Sequence, residues 1–260
     1  MKLTVNRRWF CVCYMQNTRH LIIALFILIS VSFKCAAQQN EGIIYYRVII
    51  DEYKMHCSME FFNKADAERD KNKYTFGIST SYTNLYFNRK KTKYEAKRDD
   101  GSSLTSSDFL TSQNLLNNTI TIITPINEKT YLINDTLNAP GWLIQNDIRE
   151  IAGHICMSAI TFDSLRKQNV KAWFAMDIPL SIGPDRWYGL PGVILEIDLN
   201  KGAVVITADK IEFSKLTTEL NIPKTLKGTA VTQKEYNEIF KKYYDHSVAI
   251  QREYYYNAPY

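Results

Sequence analysis

Two short segments gather residue types able to do soft-metal or thiol chemistry: Met55-His56-Cys57-Ser58-Met59 and His154-Ile155-Cys156-Met157. Read as strands, their two-residue alternation places Met55, Cys57 and Met59 on one face of the first segment, and His154 and Cys156 on one face of the second. Thiolate, thioether and imidazole are the ligands that Cu(I) prefers, so Met55, Cys57, Met59, His154 and Cys156 form a candidate soft-metal set. His154 and Cys156 could also imitate a thiol–imidazole pair, although the sequence identifies no third group to orient it. Methionine and free cysteine are equally ordinary core fillers. There is no Walker loop, Gly-x-Ser-x-Gly elbow or His-Glu-x-x-His helix. The sequence therefore reads as a non-enzymatic protein, and no cofactor is implied.

A different chemistry is available near Trp187 and Tyr188. They stand before Gly189-Leu190-Pro191-Gly192. Pro191 presets φ near about −65°, and Gly192 can supply the positive φ of the next position, which predicts a type II turn. The two aromatics would then either pack on a sheet or line a groove for an apolar, sugar or peptide ligand. Trp173, Pro191 and Gly192 are expected to be mainly architectural.

The elements that must position these residues are mostly strands. Segments rich in Ile, Val, Tyr and Thr alternate with polar stretches bearing Asn, Asp, Gly and Pro. Candidate strands are Gly42–Ile50, Met55–Phe62, Tyr74–Ile78, Thr119–Ile123, Lys129–Ile133, Ile148–Ala159 and Val170–Ile178. A hairpin runs from Val193 to Leu199, turns at Asn200-Lys201-Gly202, and returns through Ala203 to Thr207, with Gly202 suited to positive φ. One strong helix follows. Thr232 and Glu235 make a capping-box pattern, and Tyr236, Ile239, Phe240, Tyr243, Tyr244 and Val248 repeat at helical spacing to Gln251. That face either docks on the sheet or binds a partner. The polar stretch Asp99–Asn118 reads as a surface loop and candidate lid, and Arg89, Lys90, Lys91 and Lys93 read as a solvated loop or edge. The expected fold is mainly β (β-rich α+β): a curved or partly closed antiparallel sheet with a C-terminal amphipathic helix.

Residues 1–37 carry Lys2, Arg7, Arg8, Arg19 and Lys34, no acidic residue, and an apolar run from Leu21 to Phe33. This order predicts a signal peptide, with Cys35-Ala36-Ala37 preparing cleavage before Gln38. The run is shorter than the roughly 18 to 20 residues a membrane-spanning helix needs. Bulky Phe33 and Lys34 disfavour acylation of Cys35. The product would be exported to the periplasm or cell envelope or secreted, and would not be an integral membrane protein after signal cleavage. It would form a single β-rich domain over residues 38–260. Without the leader's five positive charges, 27 Lys and Arg face 27 Asp and Glu. A neutral protein lacks the basic footprint of nucleic-acid binding, so no nucleic-acid partner is expected. Of five cysteines only Cys57 and Cys156 would remain, either as one disulfide or as separate buried thiols.

The stretch from Val170 through Trp173 to Pro179, then Gly183-Pro184 and Trp187-Tyr188-Gly189-Leu190-Pro191-Gly192-Val193-Ile194, closely resembles the GLPGLI family of exported proteins from Bacteroides-type Gram-negative bacteria. Val193 replaces the motif's second leucine. The likeness extends back to Ile148 and more loosely over the remaining chain. It implies an exported envelope or secreted protein without an assigned reaction or substrate, in which Trp173, Pro179, Gly183, Pro184, Gly189, Leu190, Pro191 and Gly192 build a structural motif. Together these features suggest a binding module for an apolar ligand or an envelope protein, with soft-metal handling as the alternative.

Overall fold

The computed structural model describes residues 41–59, 62–63, 65, 77–97, 109–223 and 225–250. The expected leader, its cleavage position, residues 74–76 of the candidate strand Tyr74–Ile78 and the first half of the expected loop Asp99–Asn118 lie outside these residues. Among the described residues, twelve strands form one open sheet: β1 Gly42–Asp51, β2 Ile78–Phe87, β3 Lys91–Ala96, β4 Leu110–Asn114, β5 Thr119–Ile126, β6 Lys129–Thr136, β7 Leu143–Ile151, β8 His154–Asp163, β9 Gln168–Ala175, β10 Val193–Leu199, β11 Val204–Phe213 and β12 Thr229–Val231. Their spatial order is β12-β6-β5-β4-β3-β2-β1-β11-β10-β9-β8-β7. Neighbours pair antiparallel except β12, which lies parallel to β6. The expected β-rich fold with a C-terminal helix is therefore present. Among the described residues, no helix is long and apolar enough to cross a membrane.

Strand β1 joins the two halves, pairing β11 on one side and β2 on the other. Its alternating Ile44, Tyr46 and Val48 are fully buried, as expected when one sheet face meets the core. At the far end β7 comes back into contact with β11, four places away in the sheet, so this end curls over its own inner face. The main core fills that curl with side chains from β1, β2, β8, β9, β10 and β11. A smaller second core lies under helix α2, Gln233–Ala249, whose Tyr236, Phe240 and Tyr244 meet Tyr131, Ile133 and Ile126. The capping box is formed: the Thr232 hydroxyl accepts from the Glu235 amide, and the Glu235 carboxylate accepts from the Thr232 amide at 2.7 Å.

Several local expectations need correction. Met55–Phe62 does not begin as a strand: helix α1 spans Glu52–Cys57, with the Asp51 carboxylate capping the Lys54 amide at 3.0 Å. The Ile148–Ala159 segment is a hairpin rather than one strand, because Ala152 and Gly153 both take positive φ and reverse the chain. In the basic run, Arg89, Lys90 and Lys91 are exposed at the turn into β3 as expected, whereas Lys93 is buried inside the sheet, pairs with Glu95 at 2.9 Å and lies over the Tyr86 ring. The described part of the expected surface loop contains β4, whose Leu110, Thr111 and Gln113 are buried. The Val193–Thr207 hairpin forms as expected, with Gly202 at φ 87° and its amide bonded to Asp198. Asn200 and Lys201 also adopt positive φ there.

Candidate ligand-binding cleft

The loop between β9 and β10 carries the structural motif, and its backbone is tied down before any ligand is considered. Ile178 and Ile182 are buried; their carbonyls accept from the amides of Val193 and Ile194 at 3.1 and 2.9 Å. The Trp187 amide then closes a turn onto the Pro184 carbonyl at 3.1 Å, with Asp185 at φ 52°. Gly183 faces the Trp187 carbonyl so closely that a Cβ there would collide with it. Pro179 and Pro191 are exposed, whereas Pro184, Leu190 and Gly192 are buried.

The expected type II turn is not formed in the expected way. Gly189 has the positive φ, at 98°, and Gly192 does not. Gly192 is required for space: a Cβ at this position would run into the Ala175 backbone carbonyl. A strand neighbour thus imposes glycine at 192, and the backbone conformation favours it at 189.

Trp187 and Tyr188 pack on the sheet, the first alternative raised by the sequence, and also border a cleft. Trp187 packs edge-on to Trp142 at 6.0 Å, and the Trp142 indole N–H donates to the Tyr188 carbonyl at 2.8 Å. Both residues are largely buried. They nevertheless contribute to the wall of a cleft of about 330 Å³, shared with Phe162 of β8, Arg166 of the β8–β9 turn, Arg186, and Gln233 and Asn237 at the start of α2.

The cleft's charged residues are Arg166, Arg186 and Asp163, with Asp185 directly behind. Asp185 accepts from the Thr111 hydroxyl at 2.8 Å and from the Arg186 Nε at 2.8 Å. Burial alone would raise its carboxyl pKa, but Arg186, the Thr111 hydrogen bond and Arg166 together hold it below the usual carboxylate range. Asp163 caps the following turn by accepting from the Leu165 and Arg166 amides, and its other oxygen lies 3.4 Å from the Arg166 guanidinium. That guanidinium stacks over the Phe240 ring, 4.7 Å from its centroid. Burial and the neighbouring Arg186 lower the Arg166 pKa from its ordinary value. At Arg186 the attraction of Asp185 and Asp163 overcomes the opposing effect of burial and raises it. Neither arginine stood out in the sequence. The only signal was the position of Arg186 directly before Trp187 and Tyr188.

The soft-metal set is divided by the fold. Met55 and Cys57 lie on α1, Met59 joins the core under α2, and Cys156 lies in the main core inside the curl. The expected single strand face for Met55, Cys57 and Met59 is thereby corrected to a helix and its C-terminal end. Among the described residues, no group of three or more His, Cys, Asp or Glu is arranged to hold a metal ion. Cys57 and Cys156 are separate free thiols. His154 does gain an orienting carboxylate, Asp177, at 2.7 Å. The Cys156 thiol, however, donates to the His154 backbone carbonyl at 3.5 Å, and burial pushes its pKa up to about 11. That opposes thiolate chemistry at neutral pH. Trp173, the remaining motif aromatic, has the Arg149 guanidinium at 4.2 Å and the Lys171 ammonium at 4.7 Å from its ring centroid.

The motif segment is also where the chain matches a known family. Residues 163–196 match the model for Porph_ging, a protein of unknown function. Two solved structures of PNGF-II, in C2 and P21 crystal forms, are similar in fold over 78% of this chain, with 14% sequence identity and TM-scores of 0.53 and 0.51. The similar region is 33% and 34% of those chains, so this chain spans about a third of their length. No curated protein matches the chain.

Proposed function

We propose that this chain is an exported, non-enzymatic binding module of the cell envelope, of the GLPGLI type, that holds a small ligand with an apolar body against Trp187 and Tyr188. The observation carrying this reading is the cleft beside the motif loop, lined by those two aromatics and Phe162. Its volume of about 330 Å³ lies at the small end of the range typical of small-molecule pockets. A concavity of this size suits a small molecule better than a protein surface. The motif supports the site by holding the Trp187–Tyr188 backbone against Trp142 and β10. Soft-metal handling has less support, because Met59 and Cys156 belong to different cores.

Purification from the envelope fraction, followed by N-terminal sequencing and native mass spectrometry, tests the proposal. The expected product begins at Gln38 and retains a small organic molecule. An intact Met1 terminus in the membrane fraction would overturn export as a soluble protein. A mass corresponding only to bound copper would replace the organic-ligand reading with the metal one.

A further inference from the structure

The cleft wall contains more hydrogen-bonding capacity than the protein uses. A guanidinium offers five N–H donors in a planar fork. Arg186 uses its Nε on Asp185, while its side chain remains 20% exposed in the cleft wall. Arg166 is only 6% exposed, makes one long contact to Asp163, and leaves its buried Nε without a partner. Outside the residues that line the cleft, the buried Tyr236 hydroxyl also lacks a partner and interacts electrostatically with both arginines. The unmatched buried Nε of Arg166 in the cleft wall, together with the remaining N–H groups of the partly exposed Arg186, points to an acceptor from outside the chain.

The start of α2 does not account for that acceptor. The Gln233 amide already donates to Asp135, the Glu235 amide to Thr232, and Gln233 and Asn237 hydrogen-bond each other. The guanidiniums are the available anion-binding groups. Asp163 and Asp185 balance them to a formal charge near zero. A monoanion therefore fits better than a dianion, whose second charge would meet two fixed carboxylates in a partly desolvated site. A planar carboxylate also matches the fork of an arginine in two-point contact.

We infer that the cleft recognises an organic carboxylate, with its oxygens on Arg186 and Arg166 and its apolar body against Trp187, Tyr188 and Phe162. This rests on the binding-module reading above and adds the class of ligand. Phenylacetate, indole-3-acetate and hexanoate are suitable probes, each compared with its neutral amide and with phenyl phosphate. Binding would be read from ligand-observed NMR and from shifts of the protein's tryptophan indole resonances.

The expected result is saturable binding of at least one acid, at least tenfold tighter than its amide and tighter than phenyl phosphate. Arg186→Lys keeps a positive charge beside Asp185 but removes the fork, and should weaken the acid at least tenfold while leaving the amide unchanged. Lys171→Gln, away from the cleft, should change neither. Equal binding of acid and amide would overturn the carboxylate inference while preserving an apolar-ligand cleft. Preference for phenyl phosphate would reassign the anion. Failure of every probe to bind at millimolar concentration would overturn both this inference and the binding-module reading.

Discussion

The two cores of this fold are built from different materials. The main core consists largely of aliphatic side chains with zero or near-zero exposure, including Ile44, Val48, Leu85, Val193, Leu195 and Ile206. The smaller core under α2 is rich in rings: Tyr131, Tyr236, Phe240 and Tyr244. Its border contains Arg166 stacked on Phe240 and a Tyr236 hydroxyl without a partner. An aliphatic core satisfies itself by excluding water, whereas an aromatic core edged with guanidinium and hydroxyl groups leaves directional capacity for something else to use. The motif loop borders both, since Trp187 belongs to the main core while it shares the wall of the cleft with Arg166.

The largest expected contrast comes from removing one ring in each core. Phe174→Ala, at a fully buried position on β9, should cost about 4–5 kcal/mol. Phe240→Ala, at the edge beneath α2, should cost about 3 kcal/mol, because the neighbouring tyrosines and the Arg166 stem can relax into part of the space. Urea denaturation of both variants measures the difference. Equal losses would mean that the smaller core is as tightly fixed as the larger one.

Gly192→Val should have the next largest effect, about 3 kcal/mol, because its new side chain meets the Ala175 backbone rather than a movable side-chain end. Gly189→Ala should cost less, about 1–2 kcal/mol, because its main penalty is positive φ and its close neighbour is the Ala139 methyl. If the order of these two losses were reversed in denaturant titrations, conformation rather than close approach would be the stricter demand on the motif.

Much of the fold was legible because local patterns agree with the final packing. Alternation in β1 and β10, Gly202 in the hairpin turn and the Thr232–Glu235 capping box each specify their element with residues close in sequence. The failures have physical causes. Met55 to Met59 can be read with period two, but the Asp51 carboxylate reaches Lys54 and starts a short helix instead. Ala152-Gly153 lacks the strong turn signature of Asn-Gly, so the β7–β8 reversal was concealed within a segment rich in strand-forming residues. Trp187 and Tyr188 were legible as groove candidates. Arg166 and Arg186 were not, because an isolated arginine in sequence resembles a surface residue until the fold supplies Phe240, Asp185 and Thr111.

The electrostatic seam between the cores should respond to acid. Asp185 has a lowered carboxyl pKa, so its ionised form stabilises the folded state above the ordinary Asp value of about 3.9, and that stability is lost as pH falls through the folded pKa. Asp185→Asn should cost about 2 kcal/mol at pH 7, less than a fully buried pair because Arg186 reaches the cleft. Its deficit relative to the native chain should shrink below about pH 4, where Asp185 of the unfolded chain takes up a proton, and vanish once the folded carboxylate, held at a lower pKa, is protonated as well. Urea midpoints at neutral and acid pH test this. A deficit independent of pH would show that shape, rather than charge, is what Asp185 contributes.

The smallest effect on stability should come from the thiols, which also compare a covered position with an accessible one. Cys57 is partly exposed near the end of α1, whereas Cys156 has no exposed surface and a pKa raised to about 11. At pH 8 the Cys156 thiolate is scarce, and the reagent must also open the main core to reach it. A disulfide reagent should therefore label one described cysteine rapidly, with Cys57 identified by peptide mapping, and a second only in denaturant. Labelled Cys57 should leave the urea midpoint nearly unchanged, by roughly 0.5 kcal/mol or less as for an uncommitted surface position. Faster labelling of Cys156 than Cys57 would place the weaker packing in the main core and reverse the contrast between the two halves. Neither cysteine reacting even in denaturant without reductant would mean that the two are joined, against their separate positions in the fold.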